Sequence, residues 1–76
     1  MKKLILITGV AGFIGSNVAK RFIDEGFHVV GVDDLSSGKV KNIPNKVDFI
    51  NGDLSNAKTI KLLPNKCNKI LHLAGQ

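Results

Sequence analysis

The stretch Thr8–Ser16, TGVAGFIGS, contains three glycines at intervals of three residues and joins an apolar run to a helical pattern. Gly9 permits a tight turn with backbone angles that a Cβ would obstruct. Gly12 allows a pyrophosphate to approach the main chain, and Gly15 lets the following helix pack close to the preceding strand. A GxxGxxG turn between a strand and a helix therefore predicts a dinucleotide-binding site. No Gly-Lys-Ser/Thr follows that would make it a Walker A loop.

The start of the predicted helix supplies donors for such a ligand. The backbone N–H groups near Phe13 and Ile14 have no partner within the helix, and the helix dipole favours negative charge at this end. We expect both residues to contact phosphate. The Phe13 ring has two alternatives, since it either packs in the core or lies against the cofactor.

Short apolar runs alternate with helical patterns along the chain. Strands are predicted over residues 2–8, 28–33, 46–51 and 69–74, and helices from Phe13 to a terminating Gly26 and over residues 57–63, capped by Ser55 or Asn56. This alternation is typical of a parallel α/β sheet. Right-handed crossovers give the Rossmann-type strand order 3-2-1-4, with the ligand edge between strands 1 and 4.

The fourth strand is apolar enough for burial on both faces, yet the chain offers it no fifth neighbour. We therefore expect residues 1–76 to form the N-terminal part of a doubly wound domain, with the remainder of the protein outside this chain. If these residues are isolated, the fold should be weak and the fourth strand an exposed edge.

Acidic residues follow the second and third strands. Asp33 lies eighteen residues after Gly15, where dinucleotide folds place an acid that accepts hydrogen bonds from the adenosine ribose. Its charge repels a 2′-phosphate and favours NAD, and Asp34 adds a second negative charge. Lys39 and Lys41 could attract that phosphate, so NADP is the minor alternative. Asp53 and Leu54 follow the third strand. The carboxylate of Asp53 can accept a hydrogen bond from the adenine amino group, and a backbone N–H there can donate to a ring nitrogen. The alternative is that Asp53 only starts the next helix.

Composition bounds the function classes. The single cysteine, Cys67, excludes an internal disulfide and a cysteine-based metal cluster, and it fits a reducing cytoplasm. No apolar run approaches the roughly 20 residues of a membrane span. The net charge of +5 is interpreted as solvated lysines that also attract a phosphate-bearing ligand, because arginine clusters are absent. His72 is predicted to be a core histidine and His28 a surface residue, and no metal site is expected.

Four motifs in register, TGVAGFIGS, VDDLSSG, GDLS and LHLAGQ, resemble the extended short-chain dehydrogenase/reductases. The most similar branch is the NAD-dependent nucleotide-sugar epimerases and dehydratases of the UDP-glucose 4-epimerase type. The resemblance implies an N-terminal Rossmann domain that holds NAD and a smaller C-terminal domain that holds the nucleotide sugar. It also implies a cytoplasmic, commonly homodimeric isomerase that binds neither nucleic acid nor membrane.

The resemblance also implies a set of cofactor contacts. The glycine turn corresponds to the pyrophosphate site and Asp33 to the ribose-binding acid. Asp34 stands where the family commonly has Asn, whose hydrogen-bond donation is therefore not expected here. The loop after it lies over the adenosine, and the end of strand 4 lines the middle of the cofactor. The predicted cofactor-binding residues are Gly9, Gly12, Phe13, Ile14, Gly15, Asp33, Asp34, Ser37, Gly38, Asp53, Leu54, Leu73, Ala74 and Gly75.

The family's chemistry is hydride transfer to and from bound NAD, with a tyrosine of a Tyr-x-x-x-Lys motif moving the proton. This sequence has no tyrosine, so no catalytic residue is assigned to it, and the fragment is expected to be inactive alone. The expected parent activity is transient oxidation of a nucleotide sugar at C4. Three alternatives stay open: a dehydratase or reductase of the same family, a non-catalytic NAD-binding module, and a nucleic-acid or acidic-partner binder with steep salt dependence.

Overall fold

The computed structural model describes residues 3–36, 38–64 and 66–73. Its sheet has four strands in the order β3-β2-β1-β4, and every neighbouring pair is parallel. The predicted α/β class and strand order are therefore confirmed. The elements are β1 Leu4–Thr8, α1 Phe13–Asp24, β2 His28–Asp33, a 3₁₀ turn Val40–Asn42, β3 Asp48–Asn51, α2 Ala57–Leu62 and β4 Lys69–His72.

Three strand boundaries differ from the sequence prediction. β1 begins at Leu4, whose N–H donates to Oδ1 of Asn68 at 2.8 Å. β3 begins at Asp48 rather than at residue 46, because the N–H of Val47 turns back to the carbonyl of Pro44 at 3.1 Å. β4 ends at residue 72, whereas the predicted strand extends to residue 74. Residue 74 lies outside the described residues.

The end of α1 is a Schellman motif, as the predicted terminating glycine requires. Gly26 has φ +91°, and its N–H donates to the carbonyl of Ile23 at 3.0 Å. The N–H of Phe27 donates to the carbonyl of Phe22 at 2.9 Å, and the two rings meet edge to face with centroids 4.9 Å apart. This hydrogen-bond pair and its hydrophobic contact fix the path from α1 into β2.

The core covers both faces of the sheet. On one face, fully buried Ile5, Ile7 and Val29 pack with residues of α1, among them Ala19. On the other face, Leu6, Val30 and Val32 pack with Leu54, Leu63 and Cys67.

β4 is an exposed edge strand of the sheet, with Ile70 62% exposed. The opposite end of the sheet from the glycine turn carries His28, which is exposed as predicted and pairs with Asp48. Neither described helix is long and apolar enough to cross a membrane.

Candidate cofactor-binding site

An open cleft lies at the carboxyl ends of the strands, where β1 is flanked by β2 and β4. Its volume of about 840 Å³ is within the range of about 300–1,000 Å³ that small-molecule sites occupy. Its lining residues are Thr8, Gly9, Gly12, Phe13, Ile14, Gly15, Val32, Asp33, Asp34, Ser36, Gly52, Asp53, Leu54, His72 and Leu73.

Ten of the fourteen predicted cofactor-binding residues line this cleft. Three others, Ser37, Ala74 and Gly75, lie outside the described residues. Gly38 packs behind the glycine turn instead. Sequence reasoning did not assign a ligand role to five further lining residues, which are Thr8, Val32, Ser36, Gly52 and His72. That a cofactor touches any of these residues stays a prediction; the structure brings them together around one cleft.

The glycine turn has the geometry that the sequence predicts. Gly9 has φ +73°, which favours glycine, and its carbonyl accepts from the N–H of Gly12 at 3.2 Å. A Cβ on Gly15 would lie 2.1 Å from the carbonyl oxygen of Gly9, so this glycine is required for close packing of helix on turn. A Cβ on Gly12 would meet only that same oxygen, at an ordinary 3.4 Å. Packing within the turn therefore does not require a glycine at position 12. The missing side chain leaves the backbone of Gly12 accessible from the cleft.

The first turn of α1 presents free donors to the cleft. The first intrahelical bond runs from the N–H of Ser16 to the carbonyl of Gly12 at 2.9 Å. The N–H groups of Phe13 and Ile14 have no acceptor among the described residues. No acidic side chain occupies this turn, so the helix dipole is available to an anionic ligand. Phe13 is 82% exposed, which excludes the alternative of a core residue.

Asp33 connects the end of β2 to the glycine turn. Its Oδ2 accepts from the N–H of Ala11 at 2.9 Å, and its Oδ1 accepts from the N–H of Leu35 at 2.7 Å. Each carboxylate oxygen has two acceptor sites, so one site on each oxygen is left for ribose hydroxyls. Leu35 has φ +63°, a conformation that is uncommon for residues other than glycine and is concentrated at functional sites. The side chain predicted to bind ribose thus also shapes the turn.

The segment after β2 holds Ala11 from its carbonyl side. Its carbonyl accepts from the N–H of Lys39 and from Nδ2 of Asn42, both at 3.3 Å. A Cβ on Gly38 would lie 2.6 Å from the carbonyl carbon and oxygen of Ala11. Ala11 itself is fully buried. The loop predicted to cover the adenosine therefore packs against the glycine turn and hydrogen-bonds to it. The sequence did not indicate this role.

Asp34 extends the negative charge of the cleft at the end of β2. Its Oδ1 accepts from the N–H of Ser36 at 2.9 Å. Hydrogen bonds from the backbone and then the side chain of Ser36 hold the pKa of Asp34 below its ordinary value, because they stabilise the charged form. Two neighbouring carboxylates at the end of β2 oppose a 2′-phosphate.

Asp53 and Leu54 lie where β3 leads towards α2. Oδ1 of Asp53 accepts from the N–H of Ser55 at 2.9 Å, and its carbonyl accepts from the N–H of Asn56 at 2.9 Å. The N-cap of α2 is Asn56, whose Oδ1 accepts from the N–H of Lys58 at 2.8 Å. Asp53 therefore shapes the turn before the helix without capping it, and its exposed carboxylate lines the cleft.

The end of β4 contributes a histidine that the sequence analysis placed wrongly. His72 was predicted to be a core residue, but it is exposed and lines the cleft. Its Nδ1 lies 2.7 Å from Oγ1 of Thr8, which also accepts from the N–H of Leu73 at 3.0 Å. An apolar flanking sequence suggested burial, but the residue stands at the last position of an edge strand, where the cleft opens.

An open parallel sheet with a crossover point between β1 and β4, a glycine turn, free N–H groups at a helix start and an acid at the end of β2 together define a dinucleotide-binding Rossmann-type protein. The model of the NAD dependent epimerase/dehydratase family matches residues 5–76. The chain therefore belongs to that family.

Comparison with individual relatives agrees. The UDP-glucose 4-epimerase of Mycolicibacterium smegmatis is 43% identical over 77 residues, which cover 93% of this chain and 25% of that protein. The UDP-glucose 4-epimerase of Thermotoga maritima, solved with UDP-glucose, has a TM-score of 0.86 at 37% identity, covering 96% of this chain and 24% of that one. The UDP-glucose 4-epimerase of Thermus thermophilus, solved with NAD, has a TM-score of 0.83 at 32% identity, with 96% and 24% covered.

The chain spans about a quarter of the length of these relatives. The family's dependence on NAD and the NAD complex of the Thermus relative confirm NAD as the predicted cofactor. The cleft residues fit that group, since they offer an open glycine backbone, free helix-start donors and a carboxylate with acceptor sites left over.

Proposed function

We propose that residues 1–76 are the N-terminal part of the NAD-binding domain of a nucleotide-sugar epimerase of the UDP-glucose 4-epimerase type. In the parent enzyme, bound NAD would supply the hydride chemistry for transient oxidation of the nucleotide sugar at C4. The residues of this chain bind and orient the cofactor. Relatives named as UDP-glucose 4-epimerases support the choice of substrate class.

One observation carries the cofactor assignment: the Asp33 carboxylate is fixed on the glycine turn through Ala11, 2.9 Å from its N–H. The acid that selects ribose hydroxyls and the backbone that receives pyrophosphate are therefore held as one unit. The chain contains no tyrosine, and we assign proton transfer to other residues of the parent. A cytoplasmic homodimer is the proposed setting.

Calorimetric titration with NAD and NADP tests the cofactor role. The wild-type chain should bind NAD more tightly than NADP. Asp33→Asn should weaken NAD binding about tenfold, because it exchanges charge-assisted hydrogen bonds for neutral ones, and it should narrow the difference between NAD and NADP. Asp24→Asn is the matched control, since Asp24 is an exposed acid at the end of α1. An equal loss in both variants, or no NAD binding by the wild-type chain, would contradict the proposal.

The epimerase assignment needs its own test. Interconversion of UDP-glucose and UDP-galactose is expected from the parent enzyme and not from residues 1–76 alone. A dehydratase or reductase of the same family would use the same cofactor residues, so product analysis by NMR distinguishes these activities. Turnover of a nucleotide sugar by the isolated chain would refute the assignment of proton transfer to other residues.

A further inference from the structure

A histidine with one anchored ring nitrogen stands at the cleft. His72 is the register partner of Thr8, across the β1–β4 pair where the sheet has its crossover point. Thr8 is 3% exposed, and its Oγ1 is fixed by the N–H of Leu73 at 3.0 Å. Nδ1 of His72 lies 2.7 Å from that oxygen. The imidazole is therefore positioned by a buried hydroxyl although the side chain itself faces the open cleft.

The second ring nitrogen is available to a ligand. Within residues 3–36, 38–64 and 66–73, Nε2 of His72 has no hydrogen-bond partner. A neutral imidazole carries its proton on one nitrogen, and the hydrogen bond made by the other decides which. Oγ1 of Thr8 accepts from the N–H of Leu73, and a hydroxyl can donate as well as accept, so Thr8 can donate to Nδ1. In that tautomer the imidazole proton lies on Nε2.

We propose that His72 is a further cofactor-contacting residue, in which Nε2–H donates to an oxygen on the nicotinamide half of NAD. This inference rests on the proposed function. The ligand oxygen is a ribose hydroxyl or the phosphate next to it. Thr8 is a positioning residue, because its hydroxyl holds the imidazole.

The order of the strands assigns the contact to that half of the cofactor. Asp33 and Asp34 at the end of β2 receive the adenosine side, and the turn between β1 and α1 receives the pyrophosphate. β4 lies on the other side of β1 from β2, and adjacent strands are about 4.8 Å apart. A dinucleotide that crosses the strand ends from β2 therefore reaches His72 with the part beyond its pyrophosphate.

A competing explanation is purely structural: the bond from His72 to Thr8 simply ties β4 to β1. Two substitutions separate the explanations. His72→Asn keeps a polar group near the position of Nδ1 and removes Nε2, whereas His72→Gln carries an amide towards the position of Nε2. His72→Asn should keep a hydrogen bond to Thr8 that joins β4 to β1. It should lose a ligand contact made by Nε2.

The test is calorimetric titration of the 76-residue chain with NAD and with ADP, which lacks the nicotinamide half. His72→Asn and His72→Phe should weaken NAD binding about 2- to 10-fold, the range expected for one neutral hydrogen bond, and leave ADP binding unchanged. His72→Gln should recover part of the loss. Equal effects on NAD and ADP, or unchanged NAD binding in His72→Asn, would overturn the inference. Asp33→Asn, which should weaken both nucleotides, shows that ADP responds to a lost contact.

Failure of the proposed function looks different. A wild-type chain that binds neither nucleotide refutes the dinucleotide site as a whole, whereas one that binds NAD normally in every His72 variant refutes this inference alone. Nitrogen chemical shifts of the imidazole give a readout without any ligand. They should report the Nε2–H form of neutral His72, and Thr8→Val should reduce its share. A proton resident on Nδ1 of the wild-type histidine would contradict the proposed role of Thr8.

Discussion

Gly12 and Gly15 occupy the same turn, but the structure predicts opposite consequences for the same added methyl group. In Gly15→Ala the new Cβ would lie 2.1 Å from the carbonyl oxygen of Gly9, 2.9 Å from its carbonyl carbon and 3.0 Å from Cα of Val10. All three atoms belong to the backbone of the turn, so no flexible side chain can move aside. Relief requires α1 to shift away from the turn by about 1 Å, given that Cβ contacts normally begin near 3.4 Å.

The magnitude follows from two opposing terms. Overpacking a tight site costs about 1–3 kcal/mol or more, and alanine returns up to about 1 kcal/mol through its higher helix propensity. Since the contact is with backbone, we expect the upper part of the first range and a net loss of about 2 kcal/mol in the free energy of unfolding. For a small domain that loss is a large part of the total stability.

Gly12→Ala is the matched variant. Its Cβ meets only the carbonyl oxygen of Gly9 at 3.4 Å, and φ is −75°, which alanine adopts freely. Its stability should therefore change by less than about 1 kcal/mol, while the methyl group enters the cleft and weakens NAD binding. Urea denaturation followed by circular dichroism, with NAD titration of each folded variant, measures both effects. An unchanged denaturation midpoint in Gly15→Ala, or full NAD affinity in Gly12→Ala, would refute the reasoning.

Three further outcomes follow from the polar contacts. Asn42→Asp keeps the shape of the side chain but places an acceptor against the carbonyl of Ala11, so it should lower the unfolding free energy by about 1–2 kcal/mol and weaken NAD binding; Asn42→Gln is the control. Asp48→Asn should change stability by under about 1 kcal/mol, because the His28 pair is exposed; a larger loss in a double-mutant cycle would contradict this. The pKa of Asp34 is lowered on folding, so its contribution is present above its ordinary pKa and declines as pH falls; carboxyl NMR titration should show a midpoint below that of an unfolded peptide.

The sequence predicted the parts of this fold that local patterns determine. The alternation of apolar runs and helical patterns gave the parallel sheet, and crossover handedness then left one strand order. Gly26 ends α1 because a left-handed residue closes the helix there. The roles of Gly9 and Gly15 were predictable in the same way. Both glycines are required by a strand-to-helix turn that lies within seven residues of the chain.

Features that depend on distant contacts were not predictable in this way. The hydrogen bond from Asn42 to Ala11 spans 31 positions, and nothing in the local pattern around Asn42 indicates its partner. The exposure of His72 depends on its place at the end of an edge strand, whereas the apolar residues beside it suggested burial. The start of β3 was misplaced because Lys46 and Val47, assigned to the strand from the sequence, belong to the turn closed by the bond from the N–H of Val47 to the carbonyl of Pro44.

Asp33 shows why a motif residue cannot be assigned to ligand binding alone. Its carboxylate accepts two backbone N–H groups that belong to different segments, at Ala11 and at Leu35. The first bond sets the glycine turn, and the second stabilises a backbone conformation that Leu35 would otherwise avoid. Because a carboxylate can accept further hydrogen bonds, the same oxygens can organise the site before the cofactor arrives and then receive its ribose. The hydrogen bonds to Ala11 and Leu35 thus explain an acid at this position as well as the ligand does. The loss of affinity on replacing it would include the cost of ordering the turn when the ligand binds.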